Sequence, residues 1–302
     1  MNTRVTIPEY PSDAGGGRLG RSVNHDPRSL SYRVTPQPAR ALASVRHDRQ
    51  VPVFDQGQIG SCTGQASVGA VGTLPLFPAL PAGHAALDET EALMIYSAAT
   101  SLDDVPGTYP PDDTGSSGLA AAKACLAAGL IPGYLHATDL ATMQTALQDT
   151  PVIVGINWYS SFDRPDSSGQ VTISPNAQVR GGHEFEVIGL DVTGQTFLAV
   201  NSWSDAWGVK GYFQFSFDTM ARLLAEQGDC TQLLPLTVPA PVPTPAPTPD
   251  PVPVPAPTPS PVDPAVLAWW EASRKWAHAR HAAGNLVQAK RDLALAKALG
   301  LS

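Results

Sequence analysis

The sequence predicts an α+β fold in which a group of helices precedes a group of strands. Apolar and small residues recur at steps of three and four over residues 62–73, 89–100, 117–128 and 139–148, the spacing of one helix face. Strand-like runs follow at PVIVGINWY (151–159), HEFEVIGLDV (183–192), TFLAVNSW (196–203) and GYFQFSF (211–217). That order favours segregated layers over a doubly wound sheet, in which strands and helices alternate.

The elements divide the chain into four parts. Residues 1–50 are polar, rich in proline and glycine and weakly patterned, and are expected to form an extended arm over the surface. Residues 51–237 hold the helices and strands. Residues 238–264 carry proline at every second position from Pro239 to Pro261. Each proline removes a backbone donor and restrains the residue before it, so this stretch is expected to be an extended polyproline spacer. A proline-rich ligand for an SH3-type domain is the alternative. Residues 265–302 read as a helix or helical hairpin broken near Gly284, with Leu286, Ala289, Leu293, Ala296 and Leu299 on one stripe. This module has six Lys/Arg against two Asp/Glu, a net +4, and three tryptophans, Trp269, Trp270 and Trp276. It reads either as a docking module or as a helical pair burying its own aromatics.

Composition narrows the functional classes. A chain of 302 residues with 43% hydrophobic residues is long enough to bury a substantial core. Its net charge of −8 argues against nucleic-acid binding, which needs a basic surface. Three cysteines are odd in number and too few for a disulfide framework. No run reaches the roughly 18 apolar residues of a transmembrane segment, and the first residues lack the apolar core of a signal peptide. The expected location is therefore cytoplasmic or virion-associated, with release by lysis or a non-classical route.

Two apparent motifs carry no chemistry. GGGRLG (15–20) matches a dinucleotide-binding pattern but neither follows a strand nor opens a helix. His278 and His281 lack partners at metal-ligand spacing, so no metal site and no cofactor are expected. Cys62 differs. It follows Gly60-Ser61 and opens a helix of small residues, CTGQASVGAVGT. A helix N-terminus favours thiolate over thiol, and the thiolate is the nucleophile. Such a thiol also needs a base and a group to orient that base. GGHEFEVIGLDV offers His183 early in one strand, and TFLAVNSW offers Asn201 at the end of the next. Adjacent antiparallel strands would set the two side by side. Gln56, six residues before Cys62, would present an amide donor beside the Cys62 N–H to hold an oxyanion.

DQGQIGSC, GGHEFEVIGLD and NSWSDAWGVKGY, in that order, resemble the papain-like cysteine peptidases, and most closely their compact bacterial and phage branch. The resemblance spans residues 51–236. It implies a two-lobed fold, with a helical lobe against an antiparallel β-barrel-like lobe. It also implies Cys62 as nucleophile, His183 as base and then acid, Asn201 as its orienter and Gln56 as oxyanion donor. Trp203 would shield the His183–Asn201 hydrogen bond, and Trp207 would wall the leaving-group side. Gly115 and Ser116 would pair with substrate backbone, while Gly155 and Gly181 would line the main side-chain pocket. Thr63 stands where the family usually has an aromatic, and the paired cysteines of secreted members are missing. Cys125 and Cys230 read as core residues.

The expected activity is a thiol endopeptidase working through an acyl-thioester on a polypeptide or peptide-containing substrate. Two alternatives share the fold. One is a peptidoglycan-directed lysin whose C-terminal module docks to cell wall. The other is a catalytically weak binding protein, tethered through residues 265–302 to a virion or other particle.

Overall fold

A computed structural model describes residues 3–5, 9, 16–35, 41–80 and 87–236. The proline-rich linker (238–264) and the C-terminal helical module (265–302) lie outside the described residues. The chain opens with β1 (Thr3–Val5) and β2 (Val23–His25), which pair antiparallel, followed by the short β3 (Val45–Arg46). Three helices come next: α1 (Cys62–Val71), α2 (Glu89–Leu102) and α3 (Gly118–Ala127). Then follow β4 (Tyr134–Ala137), α4 (Leu140–Leu147), β5 (Val152–Tyr159), β6 (Val179–Asp191), β7 (Thr196–Val200), β8 (Tyr212–Ser216), α5 (Phe217–Ala225) and β9 (Asp229–Leu233). The four expected helices and four expected strands are present. A late strand around Cys230 is expected and present as β9, whereas the sequence patterns did not announce β4 or α5.

Seven strands form one antiparallel sheet in the order β4-β9-β5-β6-β7-β8, with β3 paired to β6. Its core holds Trp158, Phe162, Phe185, Phe197, Phe213 and Phe215, with Met220 and Leu223 of α5 against them. A second core joins α1, α2 and α3 through Val68, Val71, Ile95, Ala120, Ala124 and Cys125. Cys230 lies in the sheet core. The fold is thus α+β with a helical lobe against a sheet lobe. No helix among the described residues is long and apolar enough to cross a membrane.

Two elements place the site between the lobes. Every residue of α1 is buried, which its small side chains permit: a Cβ on Gly64 would lie 2.8 Å from the Tyr96 backbone nitrogen on α2. On the sheet side, residues 180–190 of β6 are buried throughout, because helices cover one face and the sheet core the other. A buried ion pair between Arg49 and Glu186 joins the lobes, and the Thr73 hydroxyl donates to Glu186 at 2.6 Å.

The arm departs from its expected surface course. Leu19 (1% exposed), Arg21 (2%) and Val23 (0%) are sunk between the lobes. These residues have no period of their own, since their partners come from distant parts of the chain.

Candidate active site

Cys62 is the first residue of α1 and is fully buried. A side chain caps each of α2, α3, α4 and α5: Asp88, Ser117, Asp139 and Ser216 respectively. Ser61 makes no such bond at α1. The first N–H groups of α1 therefore have no capping side chain, and the positive end of the helix dipole faces the thiol. The loop before it is held from the helical lobe. Asp113 accepts from the Gly60 N–H at 3.0 Å and from the Tyr96 hydroxyl at 2.5 Å.

His183 lies on β6 opposite Ile156 of β5, and Asn201 directly follows β7. The imidazole Nε2–H donates to Asn201 Oδ1 at 2.8 Å, which leaves Nδ1 without a hydrogen bond. The Ser202 N–H also donates to Asn201 Oδ1, fixing the amide's orientation. The Trp203 ring lies 5.0 Å from the imidazole at a 35° tilt, and Trp158 meets it edge-on at 4.8 Å. Both rings pack against the imidazole that makes the Asn201 bond. Trp207 packs 5.3 Å from Trp203, and its indole N–H donates to the Asp163 carbonyl at 2.9 Å.

Gln56 is tied to the end of β7. Its backbone N–H donates to the Ser202 carbonyl at 2.9 Å, and its Oε1 accepts from the Ser202 hydroxyl at 2.7 Å. Its Nε2 donates one hydrogen to the Ile59 carbonyl at 2.9 Å and keeps a second. Thr63 is fully buried, with a hydroxyl that has no hydrogen-bond partner.

Of the five positions expected to bind substrate, Gly115, Ser116, Gly155 and Gly181 are covered by the chain's own arm or its immediate neighbours. The Ser116 N–H donates to the Gly20 carbonyl at 2.8 Å, and the Ser22 N–H donates to the Ser116 carbonyl at 2.7 Å. Arg21 and Ser116 thus form a parallel bridge. Gly115 has φ +69°, in the left-handed region that favours glycine, with Gly20 packed against it. The Gly20 and Arg21 N–H groups both donate to the Gly182 carbonyl, at 3.1 and 2.9 Å. A Cβ on Gly181 would lie 2.6 Å from Leu19, and one on Gly155 would lie 2.6 Å from Arg21 Nε. At the other end, the Arg18 carbonyl accepts from the Trp203 indole at 3.2 Å, and the Gly17 carbonyl accepts from Arg180 at 2.7 Å.

Sequence reasoning missed Trp158, Arg180, Asp163, Asp113, Glu184 and Asp229. Their one visible signal was charge inside an apolar strand, at Glu184 and Glu186 in HEFEVIGL.

Residues 123–230 match the model of the papain family of cysteine proteases. Xylellain, a cysteine protease from Xylella fastidiosa, superposes with a TM-score of 0.57 at 18% identity, over 77% of this chain and all of that one. The chain has a papain-like fold and resembles that family in sequence over residues 123–230. Digestive procathepsin L 3 of Tenebrio molitor superposes with a TM-score of 0.48 at 16% identity, over 76% of this chain and 83% of that one. An uncharacterised peptidase C1-like protein of Acanthamoeba polyphaga mimivirus is 31% identical over 78 residues. The chain spans 25% of that relative's length.

In this papain-like site the two central groups are electrically neutral. Burial pushes the Cys62 thiol up from an ordinary 9.0 to about 12, although backbone groups of Glu184 and Thr63 pull the other way. Burial likewise lowers the His183 imidazole from 6.5 to about 3, against the Asn201 hydrogen bond that raises it, while Arg180 lowers it further. A raised thiol pKa contributes stability below pH 9 that is lost as pH climbs toward 12. A lowered imidazole pKa contributes stability above pH 6.5 that is lost as pH falls toward 3. Glu184 works in the same sense as the thiol and against the imidazole, since its burial beside Asp229 raises its carboxyl.

One consequence is measurable. Iodoacetamide should label Cys62 slowly at neutral pH, at a rate still rising beyond pH 10, because the thiolate fraction grows about tenfold per pH unit below the pKa. Mass spectrometry of the labelled peptide reads it. A plateau near pH 8 would show that the thiol is not held in this neutral, buried state.

Proposed function

We propose that the chain is a thiol endopeptidase whose cleft its own arm keeps closed. The observation that carries this reading is a peptide segment, residues 17–22, hydrogen-bonded to Ser116 in front of α3 on one side and to Arg180, Gly182 and Trp203 on the other. A groove that holds one extended chain through backbone groups suits another extended chain.

The chemistry follows from the side chains. His183 Nδ1, which makes no hydrogen bond, takes the proton from Cys62 Sγ. The thiolate attacks the peptide carbonyl. The Cys62 N–H and the second Gln56 Nε2 hydrogen stabilise the negative oxygen. His183, held by Asn201, then protonates the leaving amine, and water hydrolyses the thioester.

This sequence of steps also explains why the arm survives in its place. The leaving amine belongs to the C-terminal part of a substrate and must lie toward His183 and Trp203. The arm puts its N-terminal residues there, with Gly17 and Arg18 at Trp203 and Arg21 at Ser116. It therefore runs opposite to a substrate, and its carbonyls are not presented for acyl transfer. The docked arm also excludes the water on which an ion pair between Cys62 and His183 depends.

The test is incubation of the full chain with an unstructured protein such as casein, with new N-termini read by mass spectrometry. Cleavage that stops when Cys62 is alkylated is the expected result. Cleavage that continues unchanged after alkylation would refute the thiol mechanism.

A further inference from the structure

Beneath the groove, beside Gly155 and Gly118, two carboxyl groups converge. Glu184 follows His183 on β6, is fully buried, and has no hydrogen bond to either carboxyl oxygen. Asp229 opens β9, which pairs with β5 so that Asp229 lies opposite Gly155. A Cβ on Gly155 would fall 2.5 Å from Glu184 Oε2 and 3.0 Å from Asp229 Oδ2. The absent side chain is what leaves the space open.

Arg21 of the arm fills that space. Its side chain is buried, its Nε donates to Asp229 Oδ2 at 3.1 Å, and its Nη2 donates to Asp229 and, at 2.7 Å, to the Gln227 carbonyl. Its Nη1 has no hydrogen-bond partner, and neither does the Glu184 carboxyl group. The arm, entering in the reversed direction, uses only half of what the pocket offers.

Building on the peptidase reading, we propose that the Glu184–Asp229 pocket selects substrates with a basic side chain, arginine above all. That side chain sits one residue upstream of the residue whose carbonyl is attacked. The position follows from the arm: Gly20 lies against Gly60, two residues before Cys62, and Arg21 is the next residue along. A substrate running the other way places at Arg21's site the residue preceding the one at the thiol. An apolar side chain there would leave the buried Glu184 and the part-exposed Asp229 without a cation, a costly state. A guanidinium satisfies both, because its planar fork carries five donors against the three of an ammonium.

The test separates this pocket from the chemistry. In a full chain carrying Cys62→Ala and Arg21→Ala, tryptophan fluorescence follows binding of the capped peptide Ac-Ala-Arg-Gly-Ala-NH2 and its leucine counterpart. Residual docking of the arm weakens both peptides by the same factor, so the ratio of affinities is unaffected. The arginine peptide should bind at least about tenfold more tightly. Adding Asp229→Asn, or independently Glu184→Gln, should cut the ratio to about threefold or less. Equal affinities, or a preference for leucine, would overturn the assignment. So would a ratio that survives both substitutions. Hydrolysis by the Arg21→Ala chain with Cys62 intact is a separate readout. Tight binding of the arginine peptide without hydrolysis would sink the peptidase reading and leave the pocket standing. Equally fast cleavage of both peptides would do the reverse.

Discussion

Replacing Cys62 with alanine is expected to lower kcat/KM for peptide hydrolysis by about ten-thousandfold or more, an increase of roughly 5 kcal/mol in the barrier. Acyl transfer through a thioester has no counterpart once Sγ is gone. The oxyanion donors alone can only assist attack by water. His183→Ala should cost nearly as much, since in the proposed mechanism the imidazole activates the thiol and later protonates the amine. The double variant should be scarcely worse than either single one, because both residues serve one step and their losses do not add. Initial rates on a fluorogenic peptide, with circular dichroism to show that each variant is folded, provide the check. A Cys62→Ala chain that kept more than about a hundredth of wild-type activity would exclude the thioester route.

What could be read from the sequence was what chemistry and periodicity constrain. A nucleophile at the start of a small-residue helix, a histidine after two glycines and an asparagine ending the next strand are residue types with few substitutes in those settings. The helices over 62–71 and 89–102 follow from their small and apolar stripes, because a helix packed on all sides tolerates little else. Neither the arm nor the acidic pocket could be read this way. Leu19 is an isolated apolar residue in a polar stretch, and its burial depends on Gly181, more than a hundred positions downstream. Glu184 and Glu186 alternate with apolar residues, the usual sign of a strand with one face in water. Here both faces are covered: Glu186 pairs with Arg49, while Glu184 lies beside the Arg21–Asp229 pair without a hydrogen bond of its own, and sequence spacing connects none of these. The resemblance also pointed to Gly155 and Gly181 as pocket residues. It could not say that the pocket is acidic, because that depends on where β9 begins.

Unseating the arm should have the second large effect, in the opposite direction. Leu19 is 1% exposed against Gly181, and an aspartate there would have to be buried without a cation or leave the groove. Burying a leucine contributes about 2 kcal/mol. Removing Arg21, buried against the part-exposed Asp229, costs about 2–3 kcal/mol, because the Asp229 carboxylate loses its cation but keeps some contact with water. A chain carrying Leu19→Asp and Arg21→Ala therefore loses about 4 kcal/mol of docking, enough to raise the open population by about a thousandfold. Its kcat/KM should rise at least about a hundredfold over the unmodified chain. Labelling of Cys62 by iodoacetamide at neutral pH should rise with it, since water readmitted to the groove lets the thiol and imidazole charge. The two readouts must move together. Faster labelling without faster hydrolysis would mean that the arm covers the thiol without controlling turnover. An unchanged rate in both would mean that the arm does not close the groove in solution.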